Sequence, residues 1–259
     1  MDTKKFVGVY QRPTDIPKQP LCDKVEAHIR WQILNGIFVG GDKIREQVIA
    51  HDMNVSRTVV REATRRLFGA GLVEIDSQRG VFVKIFSIEQ INDLIDVRLA
   101  LSQLTARLFV ERSTSSELKM ISDIFERIRN VNEDNFADSD YITSLQFFEV
   151  FLRSTQNERV YFLDREAWQQ MRVFKLFLEH RIAGEIDVSE FNRMMFLQGT
   201  KNRMLLFDAL SEKKEKLIFE ALQQAALKSK QRAYETYQKF LGHQHALWST
   251  AMIKRAQKA

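Results

Sequence analysis

The sequence predicts a mainly α-helical protein: an N-terminal winged helix-turn-helix domain, three helices and a β-hairpin, followed by an all-α antiparallel helical bundle. Three observations carry this. The 259 residues include only 10 Gly and 3 Pro, and every Pro lies within the first twenty positions, so helix breakers are scarce thereafter. Apolar residues recur three to five apart over most of the chain, as one buried helical face requires. The only strongly β-prone runs stand together, at 72–75 and 81–85.

The elements follow in order. Residues 1–19 hold charge, Pro and no apolar block, and read as a loose arm. Leu21 to Asn35 carries Val25, Ile29 and Ile33 or Leu34 on one face and stops at Gly36, a good left-handed helix end. Residues 38–44 read as a loop with a turn. A second helix starts near Glu46, with Val48, Ile49 and Met53 inward, and Asn54 ends it. Ser56 suits the N-cap of a third helix, since its hydroxyl can accept from an orphan backbone N–H. Along Thr58 to Phe68, Val60, Ala63 and Leu67 share one face, while Arg57, Arg61 and Arg65 form a stripe on another. The two β-prone runs flank Asp76-Ser77-Gln78-Arg79-Gly80, a polar hairpin tip containing Gly.

Charge supports a polyanionic partner for this first part. The chain carries +5 overall; residues 1–86 hold 14 Lys/Arg against 10 Asp/Glu, and residues 87–259 hold 25 against 24. The surplus sits in the smaller part. An Arg stripe alone describes the solvated face of any amphipathic helix. Joined to the Ser cap, the tight turn and the Arg-Gly tip, it describes a helix for the major groove of double-stranded DNA, with the wing reaching the minor groove. The candidate DNA-contacting set is Arg45, Gln47, Ser56, Arg57, Thr58, Val59, Arg61, Arg79 and Gly80.

These residues resemble a known family. VSRTVVREATRRLFGAGLV is similar, nearly residue for residue, to the "VSRTPVREALRRLEAEGLV" of GntR-type bacterial transcription regulators, with Val59 for the usual Pro and Thr64 for the usual Leu. Residues 36–44 resemble the family lead-in "G-x-x-x-P-G-x-x-L", with Gly40 in place of Pro, and RGVFV resembles its wing. The resemblance covers about residues 20–84. It implies a homodimer on a short palindromic operator, with Arg57, Thr58 and Arg61 near the half-site. Gln47 stands where many relatives carry a contacting Arg.

Beyond Ser87, which can cap a helix, Leu94, Val97, Leu101, Leu104 and Leu108 form an expected inward stripe. Helices are expected at Ser115–Val131, Tyr141–Thr155, Val160–His180, Val188–Gln198, Met204–Gln224 and Lys230–Gln257, with breaks at Gln156-Asn157 and Gly184. The domain boundaries read as 20–86 and 87–259. This second part resembles the FadR-type effector domain of the same regulators, the FCD group. Ile95-Asp96-Val97-Arg98 looks like its opening motif, and Ser144 to Asn157 looks like its "DxxFHxxLxxxxxN" helix. The resemblance implies a divalent metal on one Asp and three His. Here Ser144 falls at the Asp, Phe148 at the first His, Glu215 at the second, and the third lies near Phe240 with His243 three residues on. Ser and Phe cannot serve as a carboxylate and an imidazole, so the expectation is no cofactor and no family-type metal. The expected effector is a small organic acid or acyl derivative, and Arg98, Arg172 and His180 are candidate anchors with Ser144, Phe148, Glu215 and His243. For the Arg and His candidates the alternative is a surface or ion-paired role. The Phe cluster at 147, 148, 151, 162, 174 and 177 is either packing or an apolar pocket wall. His243-x-His245 points two ways from a helix and makes a poor metal pair.

Other classes fit less well. There is no P-loop, dinucleotide fingerprint, nucleophile elbow or HExxH, so an enzyme is not expected. A lone cysteine, Cys22, and the lack of a membrane-length apolar run point to the cytoplasm. The expected protein is a ligand-controlled DNA-binding regulator, a repressor; a constitutive regulator without effector is the alternative.

Overall fold

The computed structural model describes residues 20–183 and 187–256, with side chains through residue 242 except at 138 and 183. The expected arm at 1–19, the break at Gly184, and the side chains of His243, His245 and the basic tail lie outside the described residues.

The N-terminal part is α1 (Leu21–Leu34), β1 (Lys43–Ile44), α2 (Glu46–Asp52), α3 (Arg57–Gly69), β2 (Val73–Asp76) and β3 (Gly80–Val83). The expected hairpin forms, with Ile75 opposite Val81 and Asp76 opposite Gly80. A third strand joins it: β1 pairs antiparallel with β3, Lys43 opposite Phe82, giving the order β1-β3-β2. Two residues are too few to show alternation, which is why 38–44 reads as a loop from sequence. Asn54, at φ 52°, ends α2, and Ser56 caps α3 by accepting from the Val59 N–H at 3.4 Å. The stripe Val25, Ile29, Ile33 is buried against Val60, Ala63 and Leu67 of α3. Val48 differs from expectation. It is 48% exposed, because α2 makes barely two turns and packs through Ile49 and Ala50.

The bundle comprises α4 (Ile88–Arg112), α5 (Ser115–Ile128), α6 (Asp138–Arg153), α7 (Glu158–Ala183), α8 (Val188–Ser211) and α9 (Glu215–Ala256). Capping boxes start α4, between Ser87 and Gln90, and α5, between Thr114 and Glu117. Three departures from the sequence reading have physical causes. The buried face of α4 is Ile88, Ile91, Ile95, Ser102, Thr105, Ala106, Leu108 and Phe109; of the expected stripe Leu108 is buried, while Val97 is 46% exposed. Ser102 and Ala106 are small, so α9 can pack along this helix. The segments 188–198 and 204–211 are one helix; Gly199 does not break it. Likewise 215–224 and 230–256 are one helix, and the true break is Glu212-Lys213-Lys214, where Lys213 takes φ 49°.

The two parts share one hydrophobic core. The cluster that holds α1, α3 and the wing runs on through Met171, Val173, Phe174, Phe177 and Leu178 of α7 to Ala226 and Ala233 of α9. Gly40 sits against this junction: a Cβ there would lie 2.9 Å from Cδ2 of Phe177. The Gly that replaces the family's Pro is therefore where the α7 ring docks. Polar contacts reinforce the seam. Gln170 donates to the Ala70 carbonyl at 3.0 Å, and Arg172 donates from Nε to the Leu34 carbonyl at 2.6 Å.

Candidate nucleic-acid interface and bundle cavity

Ser56 and the first turns of α3 leave Arg57, Thr58 and Arg61 exposed on the face opposite Val60, Ala63 and Leu67. Among the described residues Arg57 makes no ion pair. Arg61 reaches Glu46 at 3.4 Å with its side chain 66% exposed. Arg45 and Gln47 are exposed at the start of α2. Val59 is half-buried and packs on the domain core, so its exposed edge alone faces outward. Arg65, in the same stripe, meets Glu62 at 3.9 Å. Arg66 is turned away, bound to Asp23 of α1 at 2.7 Å.

Two residues that sequence reasoning missed complete this surface. Glu46 ties α2 to α3: its carboxylate accepts from Arg61 and lies 3.2 Å from the buried Thr64 hydroxyl, which also lies 3.0 Å from the Arg61 carbonyl. The Thr in place of the family's Leu thus gains a polar partner, a signal readable from that substitution. Lys43 is exposed beside the wing, its ammonium 5.6 Å from the Phe82 ring centroid, and Arg79 covers the same ring at 5.6 Å. Gly80 takes φ 102°, which the turn requires and side chains rarely adopt. Asp76 receives the Gln78 and Arg79 N–H groups and the Arg79 guanidinium, and these hydrogen bonds, the guanidinium's first, hold its pKa down at about 2. Arg57, Arg61, Arg79 and Lys43 thus offer cations from a helix start and a wing, the two elements that enter adjacent grooves of a duplex.

Within the bundle lies a cavity of about 190 Å³. Arg98, Ser144, Phe148 and Arg172 all line it, from α4, α6 and α7. His180 does not, and Glu215 is exposed at the start of α9. Arg98 is not free for a ligand: Asp164 holds it at 2.7 and 3.3 Å. Arg172 is buried and donates to three neutral oxygens, Leu34 carbonyl at 2.6 Å, Tyr141 hydroxyl at 2.6 Å and Asn192 at 2.9 Å. Burial raises the Tyr141 pKa, keeping that hydroxyl neutral. Ser144 spends its hydroxyl on the Tyr141 carbonyl at 2.7 Å. The metal site that the resemblance implies does not fit these residues. Ser144 is engaged, Phe148 has no donor atom, and Glu215 stands outside the cavity.

Sequence reasoning missed Lys175 and Arg203, both on the cavity wall. Burial foremost, then the fields of Arg232, Arg98 and Arg172, depress the Lys175 pKa to about 8. Burial likewise lowers that of Arg203 to about 10. Arg203 lies over the Phe196 ring at 4.2 Å and fits because Gly199 is there; a Cβ at 199 would fall 2.5 Å from its Nη1. A glycine inside an unbroken helix was the available signal for a side chain passing close.

An exposed basic helix start and wing joined to a helical bundle with a cavity is the arrangement a DNA-binding transcription regulator needs. Comparison with known proteins shows what the chain is similar to. Residues 21–83 match the model described as bacterial regulatory proteins, gntR family. The chain is 26% identical over 131 residues to the uncharacterized HTH-type transcriptional regulator YdhC of Bacillus subtilis, covering 51% of this chain and 58% of that one. It is 23% identical over 201 residues to the gluconate operon transcriptional repressor of the same organism, covering 78% and 80%. Among solved structures, E. coli McbR/YncC superposes with a TM-score of 0.66 at 18% identity, over 85% of this chain and 100% of that one, which supports the fold. The matched region thus spans just over half the length of YdhC. Residues 21–83 thus resemble the DNA-binding domain of the gntR family. Both relatives named here are described as transcriptional regulators or repressors.

Proposed function

We propose that this protein is a repressor that binds a short palindromic operator as a homodimer and is controlled by a small organic acid in the bundle cavity. One observation carries the reading: the residue that lines the cavity, Arg172, also holds the last turn of α1 in the DNA-binding domain. A ligand that draws this guanidinium inward releases a bond to the reader, so cavity occupancy and DNA affinity are coupled. The coupling extends only as far as the ligand distinguishes the two arrangements.

On the operator, Arg57, Thr58 and Arg61 reach base edges and phosphates of each half-site, Ser56 orients the helix start, and Arg45 and Gln47 meet the flanking backbone. Arg79 and Gly80 enter the minor groove, with Lys43 beside them. Dimerisation sets the two α3 helices about one helical turn apart, ~34 Å. The bundle belongs with the FadR-type effector domains but works without their divalent metal, and the cytoplasm is its setting. The gluconate operon repressor supports the sign of control by similarity. The test is fluorescence anisotropy of the protein on the DNA upstream of its own gene. Salt-dependent, sequence-selective binding that organic acids weaken is the expected result. Equal affinity for unrelated duplexes would sink it.

A further inference from the structure

The cavity holds more positive charge than its wall neutralises. Arg98, Arg165, Arg172, Lys175, Arg203 and Arg232 line it, against two carboxylates, Glu149 and Asp164. Both carboxylates are engaged. Asp164 accepts from Arg98 at 2.7 Å; Glu149 accepts from Arg153 at 3.0 Å and from the Tyr161 hydroxyl at 2.5 Å.

Three further cations of the lining have no such partners. Among the described residues Lys175, Arg203 and Arg232 make no ion pair. The Lys175 ammonium finds only the Met195 sulfur, at 4.0 Å. Arg203 donates to the Phe196 carbonyl at 2.6 Å and the Thr200 hydroxyl at 2.9 Å, and Arg232 donates to the Gln198 carbonyl at 2.8 Å. Carbonyls orient these groups but do not cancel their charge. Arg232 is partly exposed and feels the charge of Glu235, but holding Lys175 and Arg203 together away from water is costly unless something anionic joins them. Burial and the neighbouring cations already disfavour the charged form of Lys175.

We propose that the cavity binds a compact small molecule carrying at least two negative charges, held by Lys175, Arg203 and Arg232 without a metal ion. The proposal rests on the effector reading above for its regulatory meaning, though not for its geometry. Size argues against a long acyl chain, since about 190 Å³ is small for a ligand pocket. Two forked guanidinium groups and one ammonium suit carboxylate and phosphate oxygens alike, so the shared chemistry is multiple charge. Trp168, Met171 and Phe148 on the remaining wall would cover a short carbon skeleton.

The test uses the full chain dialysed against EDTA and titrated at constant ionic strength with acetate, citrate or glucose 6-phosphate, read by calorimetry and thermal shift. Citrate or glucose 6-phosphate should bind at least ten-fold more tightly than acetate, with no change on adding Zn. Which of the two binds better distinguishes a polycarboxylate from a phosphate ester, and either supports the proposal. Lys175→Met and Arg232→Gln should each lose at least ten-fold in affinity, whereas Lys119→Met, on the exposed face of α5, should not. Equal binding of acetate, a requirement for metal, or binding of none of the probes would overturn the proposal. Charge-selective binding that leaves DNA affinity unchanged supports the site and overturns the effector reading alone.

Discussion

Arg172 and Leu34 are 138 positions apart, yet the Arg172 Nε lies 2.6 Å from the Leu34 carbonyl oxygen. That oxygen is one of the orphan acceptors at the end of α1. A bundle side chain therefore completes a helix of the DNA-binding domain. Replacing Arg172 with Met would remove its hydrogen bonds to the Leu34 carbonyl and the Tyr141 hydroxyl together. The cost should be at least ~2 kcal/mol, given about 1–3 kcal/mol for each buried group left unsatisfied. Scanning calorimetry should show a lower melting temperature, and organic acids should no longer alter DNA affinity.

Arg57 is exposed and makes no ion pair among the described residues, whereas Arg61 leans on Glu46. Arg57→Ala should weaken operator binding by about 1–3 kcal/mol and relax base preference in the half-site. Lys43→Ala should weaken all duplexes alike and lower the salt slope by about 1. Anisotropy at several salt concentrations separates the two. An Arg57→Ala protein with wild-type affinity would remove Arg57 from the contact set.

Gly40→Ala places a methyl 2.9 Å from the Phe177 ring, where neither backbone nor ring has room. Overpacking of this kind costs about 1–3 kcal/mol. Phe177→Leu in the same chain should recover part of the loss, and urea unfolding of the two single variants and the double variant measures the coupling.

Lys175 predicts a pH dependence of unusual sign. Its folded pKa, about 8, lies below the ordinary 10.5. Protonation therefore penalises the folded state; the penalty is absent above about 10.5, grows as pH falls, and is complete below about 8. Lys175→Met should raise the melting temperature of the ligand-free protein at pH 7 by ~2–4 °C, the shift expected per kcal/mol in a chain of this length. The gain should shrink between pH 8 and 10.5. No gain at pH 7 would mean that the ammonium is already compensated.

The wing tip titrates in the ordinary direction. Asp76 is held at about 2 by Arg79 and two backbone N–H groups, against 3.8 when free. Its contribution is fully present above about 3.8 and fades as pH falls towards 2. Carboxyl chemical shifts should titrate accordingly, and Arg79→Ala should move the midpoint back up.

Much of the winged helix-turn-helix fold was legible in the sequence because its signals are local. Ser56, the Arg stripe and Gly80 each declare themselves within a few residues. Ser144 and Phe148 likewise sufficed to question the metal site. The cavity was harder, because its cations come from α4, α7, α8 and α9 and only the fold brings them together. Arg203 was hidden for a related reason: the space it fills exists because Gly199, one helical turn away, has no side chain, and hydropathy does not report such a relation. The α4 stripe was displaced because Ser102 and Ala106 are inward by size and not by hydropathy.

The apolar cluster that runs unbroken from α3 into α7 means the reader is not tethered by residues 84–87 but bolted in place. Adding a few residues to that connector should leave the preferred gap between half-sites unchanged, whereas shaving Phe174 or Phe177 should broaden the range of gaps tolerated. The ruler for the operator would then be the packing of α7, not the length of the joint.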